Sequence, residues 1–505
     1  MRFLHFERVS FSYPGMADPL LADVEAFFPE GSWTGIVGAN GTGKTTLLRL
    51  AAGELEPSRG RIRQLGAARY AVQRTDLPPD DLADFLAATD ASAHSWRVRL
   101  GVQAGWAGRW DSLSHGERKR AQIAATLWRE PEVLALDEPT NHLDAEAKEA
   151  LLGALRAYRG VGLLVSHDRA FLDALCGQCL FLFPPKATMR PGGVSQGLAE
   201  DRREQASARE RDSEARDAAR RLRDSSQRRR EYADQLAARH KAAKNRKPPA
   251  NDHDGKAKRQ MAKLTGKDSW AVAQSAALAK RAGKLEASRR GLAPRKEYGM
   301  GFWLEGSGAS RRDWVLRVDA GEIPLGGGRV LAFPDLRVAP TDRVALVGPN
   351  GIGKSTLLRH LLPLANVPPE RLLSVPQEIS EEETRRIHAE VKALPKDALG
   401  RVMTSVSRLG SRPGRLLASE CPSPGEIRKL LLALGVDRGP HLVAMDEPTN
   451  HLDLPSIGCL EDALAECPCA MLLVSHDEAF LDRLATVRWE LAEAGSGRVA
   501  LTVCA

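Results

Sequence analysis

The sequence lacks any long apolar run. Its most apolar uncharged stretch, residues 174–185, falls well short of the 18 or so consecutive apolar residues that a membrane-spanning helix needs. The first residues also lack a secretory signal pattern, because Glu7 and Arg8 stand where its apolar segment would be and no small-residue cleavage site follows. We therefore expect no membrane insertion and a cytoplasmic location.

Cysteine is also scarce, with seven residues in a chain of 505. Only two pairs lie close together, Cys176 with Cys179 and Cys467 with Cys469, and neither has a second pair nearby in sequence. This spacing excludes a disulfide framework and does not fit a four-ligand zinc site. We interpret the cysteines as ordinary buried thiols.

The composition is otherwise that of a globular protein, with 43% hydrophobic and 27% charged residues, which excludes global disorder. A chain of this length has room for two or three domains. Its charge is distributed unevenly. Residues 201–300 hold 28 basic and 14 acidic side chains, a net charge of +14, so the rest of the chain, whose total is +8, carries −6.

This basic segment is rich in Ala, Arg, Lys, Glu and Gln, and it is interrupted by proline and glycine at residues 248–255. It predicts two long helices around a turn, an antiparallel hairpin about 60 to 70 Å long. From the first helix, Leu222, Tyr232 and Leu236 are expected to face the second. The second helix has apolar residues at intervals of seven, as in a helix packed along a partner. They are Leu264, Ala271, Leu278, Leu285 and Leu292.

Basic residues cluster around the turn, which we name the tip: Lys241, Lys244, Arg246, Lys247, Lys256, Lys258 and Arg259. Such a cluster favours contact with phosphate. No aromatic residue occurs between Tyr232 and Trp270 to stack on unpaired bases, so contacts to the backbone of folded RNA fit better. The alternative is a solvated charged linker.

One motif series occurs twice, with Lys44 and Lys354 310 residues apart and His167 and His476 309 apart. Each copy has a glycine-rich loop between an apolar strand and a helix, GANGTGKTT and GPNGIGKST. Such loops wrap phosphate with backbone N–H groups, and their lysine reaches the β and γ oxygens. We predict that the following residues bind ATP: Gly38, Asn40, Gly41, Gly43, Lys44, Thr45, Thr46, Gly348, Asn350, Gly351, Gly353, Lys354, Ser355 and Thr356.

Two adjacent acids end a buried strand in each copy, Asp137 with Glu138 and Asp446 with Glu447. The aspartates, with the hydroxyls of the serine or threonine that follows each loop lysine, are predicted to hold Mg²⁺. The glutamates are predicted to orient and deprotonate the attacking water.

The two motif series resemble the ATP-binding cassette superfamily, and two cassettes with a charged helical linker resemble its ABC-F branch. The resemblance covers about 400 residues in the cassettes and, by its character, the linker. It implies an α/β fold with two P-loop ATP-binding-cassette domains, residues 1–195 and 301–505, joined by a long α-helical hairpin at 196–300. It also implies an ATP-hydrolysing monomer in which the two cassettes close face to face within one chain. Each ATP then lies between the P-loop of one cassette and a second family motif, the signature loop, of the other cassette.

The resemblance assigns further roles by motif position. The Q-loop glutamines near Mg²⁺ and the attacking water are Gln73 and Gln377. The D-loop aspartates are Asp144 and Asp453, and the histidines that sense the γ-phosphate, the switch histidines, are His167 and His476.

The two signatures differ. The first, LSHGE, contains Ser114 and Gly116, whereas the second, PSPGE, keeps Ser423 and Gly425 but has Pro424 between them. Proline fixes φ and offers no N–H to a phosphate, so the second loop is expected to be stiffer and one donor poorer.

The adenine contact is also predicted to differ between the sites. Tyr13 stands where the family has an adenine-stacking aromatic, whereas the same offset in the second copy gives Ile323. We therefore expect unequal ATP sites, with the second P-loop, Glu447 and the first signature forming the faster one.

The resemblance implies that ATP closes the cassettes on the ribosome in the tRNA exit site, and that hydrolysis releases them. The hairpin would reach toward the peptidyl-transferase centre, where it could contact RNA of the large subunit or the peptidyl-site tRNA. Only 41 residues separate Gln73 from Ser114 and 46 separate Gln377 from Ser423, too few for the additional arm of many housekeeping relatives. This favours ribosome protection against antibiotics over a housekeeping role in translation.

Other classes of ATPase fit the sequence less well. An ATPase subunit of a transporter has no use for a long basic hairpin. DNA-repair ATPases commonly close their arms through a cysteine zinc hook, and no cysteine occurs between Cys179 and Cys421. The iron–sulfur ribosome-recycling relative has an N-terminal cysteine cluster that this sequence lacks.

Overall fold

The computed structural model of the chain describes residues 3–15, 18–64, 66–72, 74–141, 143, 145–245, 267–291, 308–411, 413–418, 422–450, 452–495 and 497–504. These residues fall into two compact units. The first unit comprises residues 1–197 and 297–505 and holds both copies of the motif series, whereas the second comprises 198–296 and holds the basic segment. The predicted α/β class with two cassettes is confirmed, and the boundaries at 195 and 300 stay a prediction.

The residues described in the first cassette form nine strands and six α-helices, with a 3₁₀ helix at Ala104–Ser112. The strands are β1 Phe3–Phe11, β2 Leu21–Pro29, β3 Trp33–Gly38, β4 Arg59–Gln64, β5 Ala68–Ala71, β6 Val133–Asp137, β7 Val161–Val165, β8 Gln178–Phe183 and β9 Lys186–Pro191. The helices are α1 Lys44–Ala51, α2 Leu82–Ala87, α3 Ala91–Arg99, α4 His115–Trp128, α5 Ala145–Ala157 and α6 Arg169–Leu175.

The main sheet of the first cassette has the order β5-β6-β7-β3-β8-β9, and all neighbouring strands are parallel except β8 and β9. Strands β3, β6 and β7 are buried along their whole length because helices cover both faces of a parallel sheet, which explains their continuous apolar sequences. A small antiparallel sheet, β2-β1-β4, packs beside it and adds Leu4, Phe6 and Phe28 to the same core.

The second cassette begins with β10 Leu316–Val318, β11 Gly321–Gly326, β12 Arg329–Phe333, β13 Leu336–Val338, β14 Arg343–Val347, the helix α9 Lys354–Leu361 and β15 Leu372–Val375. Its helical part is α10 Glu381–Ala393, α11 Lys396–Arg408, α12 Pro413–Ala418 and α13 Pro424–Asp437. It ends with β16 Leu442–Asp446, α14 Leu454–Ala465, β17 Ala470–Val474, α15 Glu478–Leu484, β18 Val487–Glu493 and β19 Arg498–Cys504. Short 3₁₀ helices occupy Leu362–Leu364 and Pro369–Arg371.

Its large sheet, of order β11-β12-β19-β18-β14-β17-β16-β15, repeats the central parallel arrangement of the first cassette. Strands β5 and β15 each lie at one edge of that arrangement, and the strand that precedes the glycine-rich loop, β3 or β14, lies inside it. The helices α10, α11 and α13 form a separate hydrophobic cluster around Val391, Val402 and Leu430.

The described part of the basic segment forms two helices, α7 Val194–Asn245, about 78 Å long at 1.5 Å per residue, and α8 Lys267–Gly291. They are antiparallel, because Arg223 pairs with Glu286 while Arg229, further along α7, pairs with Gln274, nearer the start of α8. Midway, the Ser226 hydroxyl donates to the carbonyl oxygen of Ser275 at 2.9 Å. The predicted helix pair is therefore present.

The contact line of this pair differs from the expectation. Small residues repeat every seven positions along it, the part-buried Ser226 between the buried Ala219 and Ala233 on α7, and the buried Ser275 and Ala282 on α8. Tyr232, which was expected to face the partner helix, is 60% exposed, so that interpretation is wrong. Small residues allow the two backbones to approach closely, and this leaves no space for an aromatic ring between them.

The remaining residues predicted for this segment are only partly covered by the described chain. Leu278, Leu285 and Leu222 are half-buried beside the contact line. Leu264 and Leu292 lie outside the described residues. Of the tip, Lys241 and Lys244 belong to α7. The other predicted tip residues, Arg246, Lys247, Lys256, Lys258 and Arg259, lie outside the described residues.

Membrane-spanning helices are not found within the described ranges, where no helix combines sufficient length with sufficient apolar character. The close cysteine pairs lie in the cassette interiors: Cys176, Cys179, Cys467 and Cys469 are all buried and carry free thiols. Cys504 is exposed on the last strand, so the interpretation as a buried thiol is wrong there.

Candidate functional site

The parallel sheet brings the predicted site residues of each cassette to one edge. In the first cassette β6, β7 and β3 are consecutive neighbours, so their carboxyl ends lie side by side. Directly after these strands come the acidic pair, the switch histidine and the P-loop. Strands β16, β17 and β14 repeat this arrangement in the second cassette.

The predicted nucleotide-binding residues form two loops and the first turns of α1 and α9, at residues 38–46 and 348–356. Gly43 and Gly353 each precede the helix with left-handed φ angles of 95° and 113°. At Gly353 an added Cβ would lie 2.6 Å from the Leu325 Cδ2 atom. Both the backbone conformation and the space therefore require glycine, and the helix N-terminus that follows is a suitable site for phosphate.

The two loop lysines curl back over their own loops. The Lys44 Nζ atom donates to the carbonyl oxygen of Gly38 at 2.9 Å, and Lys354 donates to that of Gly348 at 2.7 Å. Burial lowers the pKa of both ammonium groups, although nearby acidic residues oppose the effect. Each loop therefore holds a buried positive charge beside a helix N-terminus, which is an arrangement that favours binding of a polyphosphate.

The residues predicted to hold Mg²⁺ offer suitable oxygen ligands. In the first cassette the Thr45 hydroxyl donates to the Asp137 Oδ2 atom at 2.7 Å, so the two predicted ligands already touch. In the second, where Ser355 takes the place of Thr45, the Asp446 Oδ1 atom is buried without a hydrogen-bond partner among the described residues. Magnesium is typically held by one or two carboxylates together with substrate phosphates, so this set fits it.

In the described part of the chain, no group of three or more His, Cys, Asp or Glu side chains could hold a metal ion. These residues therefore offer no preformed all-protein metal cage. A magnesium ion would depend on nucleotide oxygens for the rest of its ligands.

The two glutamates have a strained backbone conformation. Glu138 and Glu447 have φ angles of 48° and 50°, which residues other than glycine rarely adopt. In each case the glutamate N–H donates to the strand that precedes the switch histidine, to Val165 at 2.9 Å and to Val474 at 2.8 Å. Because strained residues persist only when their surroundings impose them, this repeated geometry is consistent with a functional role.

Burial also controls the ionisation of these glutamates. It raises the pKa of Glu138, with Asp137 adding to the effect. It raises the pKa of Glu447 to about 7, although the backbone N–H of His476 and the charge on Lys354 act in the opposite direction. A base with a pKa near the operating pH is well suited to accept a proton.

The switch histidines lie against these carboxylates. The His167 Nε2 atom is 3.1 Å from Glu138 Oε1, and the His476 Nε2 atom is 3.4 Å from Glu447 Oε1. His476 is more open, with 40% of its side chain exposed against 19% for His167. Burial and the nearby Lys354 lower the pKa of His476 to about 4, so it is neutral at physiological pH.

Residues of both cassettes meet at these sites. The backbone N–H of Asn40, in the first P-loop, donates to the Asp453 Oδ2 atom of the second D-loop at 2.7 Å. In the other direction, the charge on Lys148 of the first cassette lowers the pKa of Glu447 and of His476 in the second. The first site therefore includes a residue of the second cassette, and a charge of the first cassette acts on the second site.

The two signature serines cap helices in the same way. Ser114 and Ser423 begin α4 and α13, and each forms a reciprocal capping box with the glutamate three residues later. Pro424 occupies the first helical position, where proline is favoured because its missing N–H has no partner within the helix. The proline thus leaves the helix start intact, and Gly116 and Gly425 follow at matching positions.

The predicted adenine contact differs between the cassettes. Tyr13 is 37% exposed, packs edge-on against Phe11 and hydrogen-bonds the hydroxyl of Thr46 at 3.1 Å. Ile323 is buried in the hydrophobic core of the second cassette, where it has no free surface for a base. A stacking platform is therefore available only beside the first P-loop at this offset.

Three contacts of the site were not predicted. The Tyr70 hydroxyl donates to Asp137 Oδ2 at 3.0 Å. Lys119 and Arg428, which occupy equivalent positions behind the signatures, are buried and donate to the Q-loop backbone, Lys119 to Val72 and Arg428 to Gln377. A basic residue five positions after each signature serine was the available sequence signal for the second and third contacts.

Among the remaining predicted residues, Gln377 has an exposed side chain. Gln73 and Asp144 lie outside the described residues.

Comparisons with known proteins agree with this arrangement. A family model described as ABC transporter matches residues 21–141 and 333–450. The ATP-binding protein Uup of Caulobacter vibrioides is 30% identical over 89% of this chain and 71% of its own length. The ribosome protection protein VmlR of Bacillus subtilis is 27% identical over 94% of this chain and 84% of its own.

A relative with a different name matches over a similar extent. The energy-dependent translational throttle protein EttA of Escherichia coli is 28% identical over 91% of this chain and 87% of its own length. Among solved structures, the archaeal ribosome recycling factor aABCE1, in complex with the ribosomal stalk protein aP1, matches with a TM-score of 0.61 at 17% identity. That match covers 98% of this chain and 89% of aABCE1, and it shows a shared fold.

We predict that ATP turnover rises with pH between 6 and 8. Glu447 must be ionised to accept a proton, and a pKa of about 7 leaves about a tenth of it ionised at pH 6, so turnover there should be about a tenth of the plateau. The measurement is kcat against pH at saturating ATP. Glu138→Gln should keep this profile and Glu447→Gln should remove it, whereas a profile that is flat in the unaltered chain would contradict the assignment.

We also predict that the Tyr13 ring supports nucleotide binding at the first P-loop. Tyr13→Ala should weaken binding about tenfold, since stacking on a base contributes roughly 1–3 kcal/mol. Tyr13→Phe, which keeps the ring and loses only the Thr46 hydrogen bond, should stay within about twofold. The measurement is titration with a fluorescent ATP analogue in a Lys354→Ala background, which confines binding to the first site. Equal weakening by both substitutions would exclude stacking.

Proposed function

Because the chain belongs to the ABC-F family of tandem-cassette ATPases, we propose that it binds the tRNA exit site of the ribosome while its cassettes are closed around ATP. There the hairpin acts near the peptidyl-transferase centre and protects the ribosome from antibiotics. The observation that carries this proposal is the antiparallel helix pair in a segment, residues 201–300, whose net charge is +14 and which stands between two ATP-hydrolysing cassettes in the chain. The proposed location is the cytoplasm.

The hydrolytic step uses the residues at the carboxyl end of the central strands. The P-loop N–H groups and Lys354 bind the phosphates, and Glu447 accepts a proton from a water molecule aimed at the γ-phosphorus. Neutral His476, 3.4 Å from both Glu447 Oε1 and Lys354 Nζ, orients the carboxylate and the phosphate. When bound beside Asp446 and Ser355, Mg²⁺ neutralises charge on the phosphate oxygens.

ATP also controls the pairing of the cassettes. Asn40 and Asp453 join the first P-loop to the second D-loop, so the loop that wraps the phosphates is the loop that contacts the other cassette. ATP that bridges a P-loop to the opposite signature stabilises the closed form, and its hydrolysis removes that bridge. Closure and release are thereby coupled to the presence of the γ-phosphate.

The basic hairpin supplies the contact with RNA. Its charge favours phosphate, either of large-subunit RNA or of the peptidyl-site tRNA, and its central region has no aromatic residue for stacking. An ATPase subunit of a transporter would not need this charge. Between β5 and α4 of the first cassette the described residues form only the short helices α2 and α3 and a 3₁₀ helix, which leaves no long additional arm among them.

The favoured role is ribosome protection, the role for which VmlR is named, and VmlR is similar to this chain over 94% of the chain's length. The second candidate is regulation of translation, because the equally similar EttA is named a translational throttle. The short segment between β5 and α4 supports the first role.

We predict that the Glu138→Gln, Glu447→Gln double variant co-sediments with ribosomes in ATP and not in ADP. Loss of the base leaves ATP bound and the cassettes closed. The matched control adds Lys44→Ala and Lys354→Ala to the same chain and should not co-sediment. Intact ATP binding without ribosome binding, or recovery of the chain with membranes, would overturn the proposal in favour of the transporter ATPase.

The hairpin contributes to this binding through its charge. Replacing Lys256, Lys258 and Arg259 with glutamine should weaken ATP-dependent co-sedimentation and make it less sensitive to salt, since each lost phosphate contact reduces the salt slope by about one. Replacing Arg202, Arg203 and Arg211 with glutamine, in the first half of α7, removes the same three charges, serves as control and should have little effect.

We further predict that expression of the chain in a drug-sensitive bacterium raises the inhibitory concentration of at least one large-subunit antibiotic at least fourfold. Drugs acting on the small subunit should be unaffected, and the Lys44→Ala, Lys354→Ala variant should give no protection because it cannot close. No change for any large-subunit drug, with ribosome binding intact, would favour a role in regulating translation.

A further inference from the structure

The internal repeat allows each cassette to be compared with the other, residue by residue. The offset of 309 that relates His167 to His476 also relates Arg169 to Glu478, two residues further along. The same offset relates Leu152, on α5, to Glu461, on α14. A contact between positions 169 and 461 would therefore have a symmetry-related counterpart between 478 and 152.

The first of these contacts is a buried ion pair between the cassettes. The Arg169 Nη1 atom lies 2.6 Å from Glu461 Oε1, and Arg483 Nη1, from the second cassette, lies 2.9 Å from Glu461 Oε2. The Glu461 side chain is only 3% exposed and that of Arg169 only 12%. Both carboxylate oxygens are thus bound, each by a guanidinium from a different cassette.

The symmetry-related contact cannot form. Leu152 is half-buried and uncharged, and Glu478 instead pairs with Arg488 of its own cassette at 3.2 Å. Nearby on that side, Lys148 binds Asp168 of its own cassette at 2.7 Å. In the described residues, one side of the cassette pair therefore has a buried ion pair across the interface, and the corresponding residues on the other side do not form one.

The ion pair acts on the site of the first P-loop. Helix α14 begins after Asp453, which binds the backbone of Asn40, and carries Glu461 two turns later. Between them, Ser456 accepts a hydrogen bond at 2.6 Å from Lys429 of α13, the helix that Ser423 caps. The first cassette therefore contacts α14 at two points, through Asn40 at its start and through Arg169 at Glu461. Helix α14 in turn contacts α13, the helix of the second signature, through Ser456.

We propose that the Arg169–Glu461–Arg483 triad is a one-sided clasp, which keeps the first ATP site closed while the cassettes open at the second. The nucleotide at Lys44 is then retained through many turnovers, and the nucleotide at Lys354 exchanges in each one. This deepens the proposed function and rests on it, because it assumes the cycle of ATP-dependent closure and opening. It also accounts for unequal sites without requiring a defect in the first set of catalytic groups.

The test is release of a fluorescent ATP analogue from the Glu138→Gln, Glu447→Gln chain, chased with excess ATP. We expect two phases of equal amplitude that differ at least tenfold in rate. Lys44→Ala should remove the slow phase, and Lys354→Ala should remove the fast one. A single phase, or the opposite assignment of the two phases, would overturn the clasp.

Changes at the ion pair then test its role directly. Arg169→Gln should accelerate the slow phase at least fivefold, and Arg169→Lys, which keeps the charge, should retain most of the slow behaviour. A slow phase that is unchanged by Arg169→Gln contradicts the proposal.

Installing the missing contact is an independent test that remains informative if Arg169→Gln fails to fold. The double substitution Leu152→Glu, Glu478→Arg creates the symmetry-related pair and should slow the fast phase at least threefold. Leu152→Glu or Glu478→Arg alone should not slow it. A fast phase unchanged in the double variant argues against the clasp, while ribosome co-sedimentation, measured separately, reports on the proposed function.

Discussion

The carboxyl-terminal edge of three adjacent parallel strands is the constraint on which the rest of the molecule depends. A parallel arrangement places the segments that follow β6, β7 and β3 side by side, although up to about 130 residues separate them in the chain. Glu138 turns through a left-handed conformation to donate its N–H to Val165, and this directs the strand end toward the switch histidine. The P-loop, the base and the histidine can act together only because the sheet order β6-β7-β3 is preserved, and the second cassette preserves it in β16-β17-β14.

Sequence reasoning could predict most of this site because its chemistry lies in short motifs. A glycine-rich loop before a lysine, or two acids after an apolar strand, has the same local geometry wherever it occurs. Contacts between distant segments were not predictable in the same way. Tyr70 reaches Asp137 only because β5 lies next to β6, and Lys119 reaches the Q-loop backbone only because α4 packs beneath it. In the hairpin, the period of seven was the right signal, but assigning the contact to the largest apolar side chains was wrong at Tyr232, because alanine and serine form the close contact line.

Duplication within one chain lets the two cassettes diverge without losing their common geometry. The strained glutamates, the capping boxes at Ser114 and Ser423, and the lysine contacts to the P-loop carbonyls are the same in both halves. The differences lie where the cassettes meet nucleotide or each other. Tyr13 offers an exposed ring where Ile323 is buried, and His476 is twice as exposed as His167. A homodimer could not carry such differences, since every substitution would appear at both sites.

The ion pair between Arg169 and Glu461 shows how such divergence can control motion. A buried ion pair adds little net stability, because desolvation of its charges offsets their attraction, but separating the partners inside the protein is strongly unfavourable. Such a pair is therefore well suited to resist opening on one side without making the closed chain much more stable overall. Because Glu461 shares α14 with Asp453 and Ser456, resistance at this point extends to the first P-loop through Asn40 and to the second signature helix through Lys429. The equivalent residues of the opposite side, Leu152 and Glu478, form no such pair, and the clasp proposal therefore assigns to that side the opening that follows ATP hydrolysis.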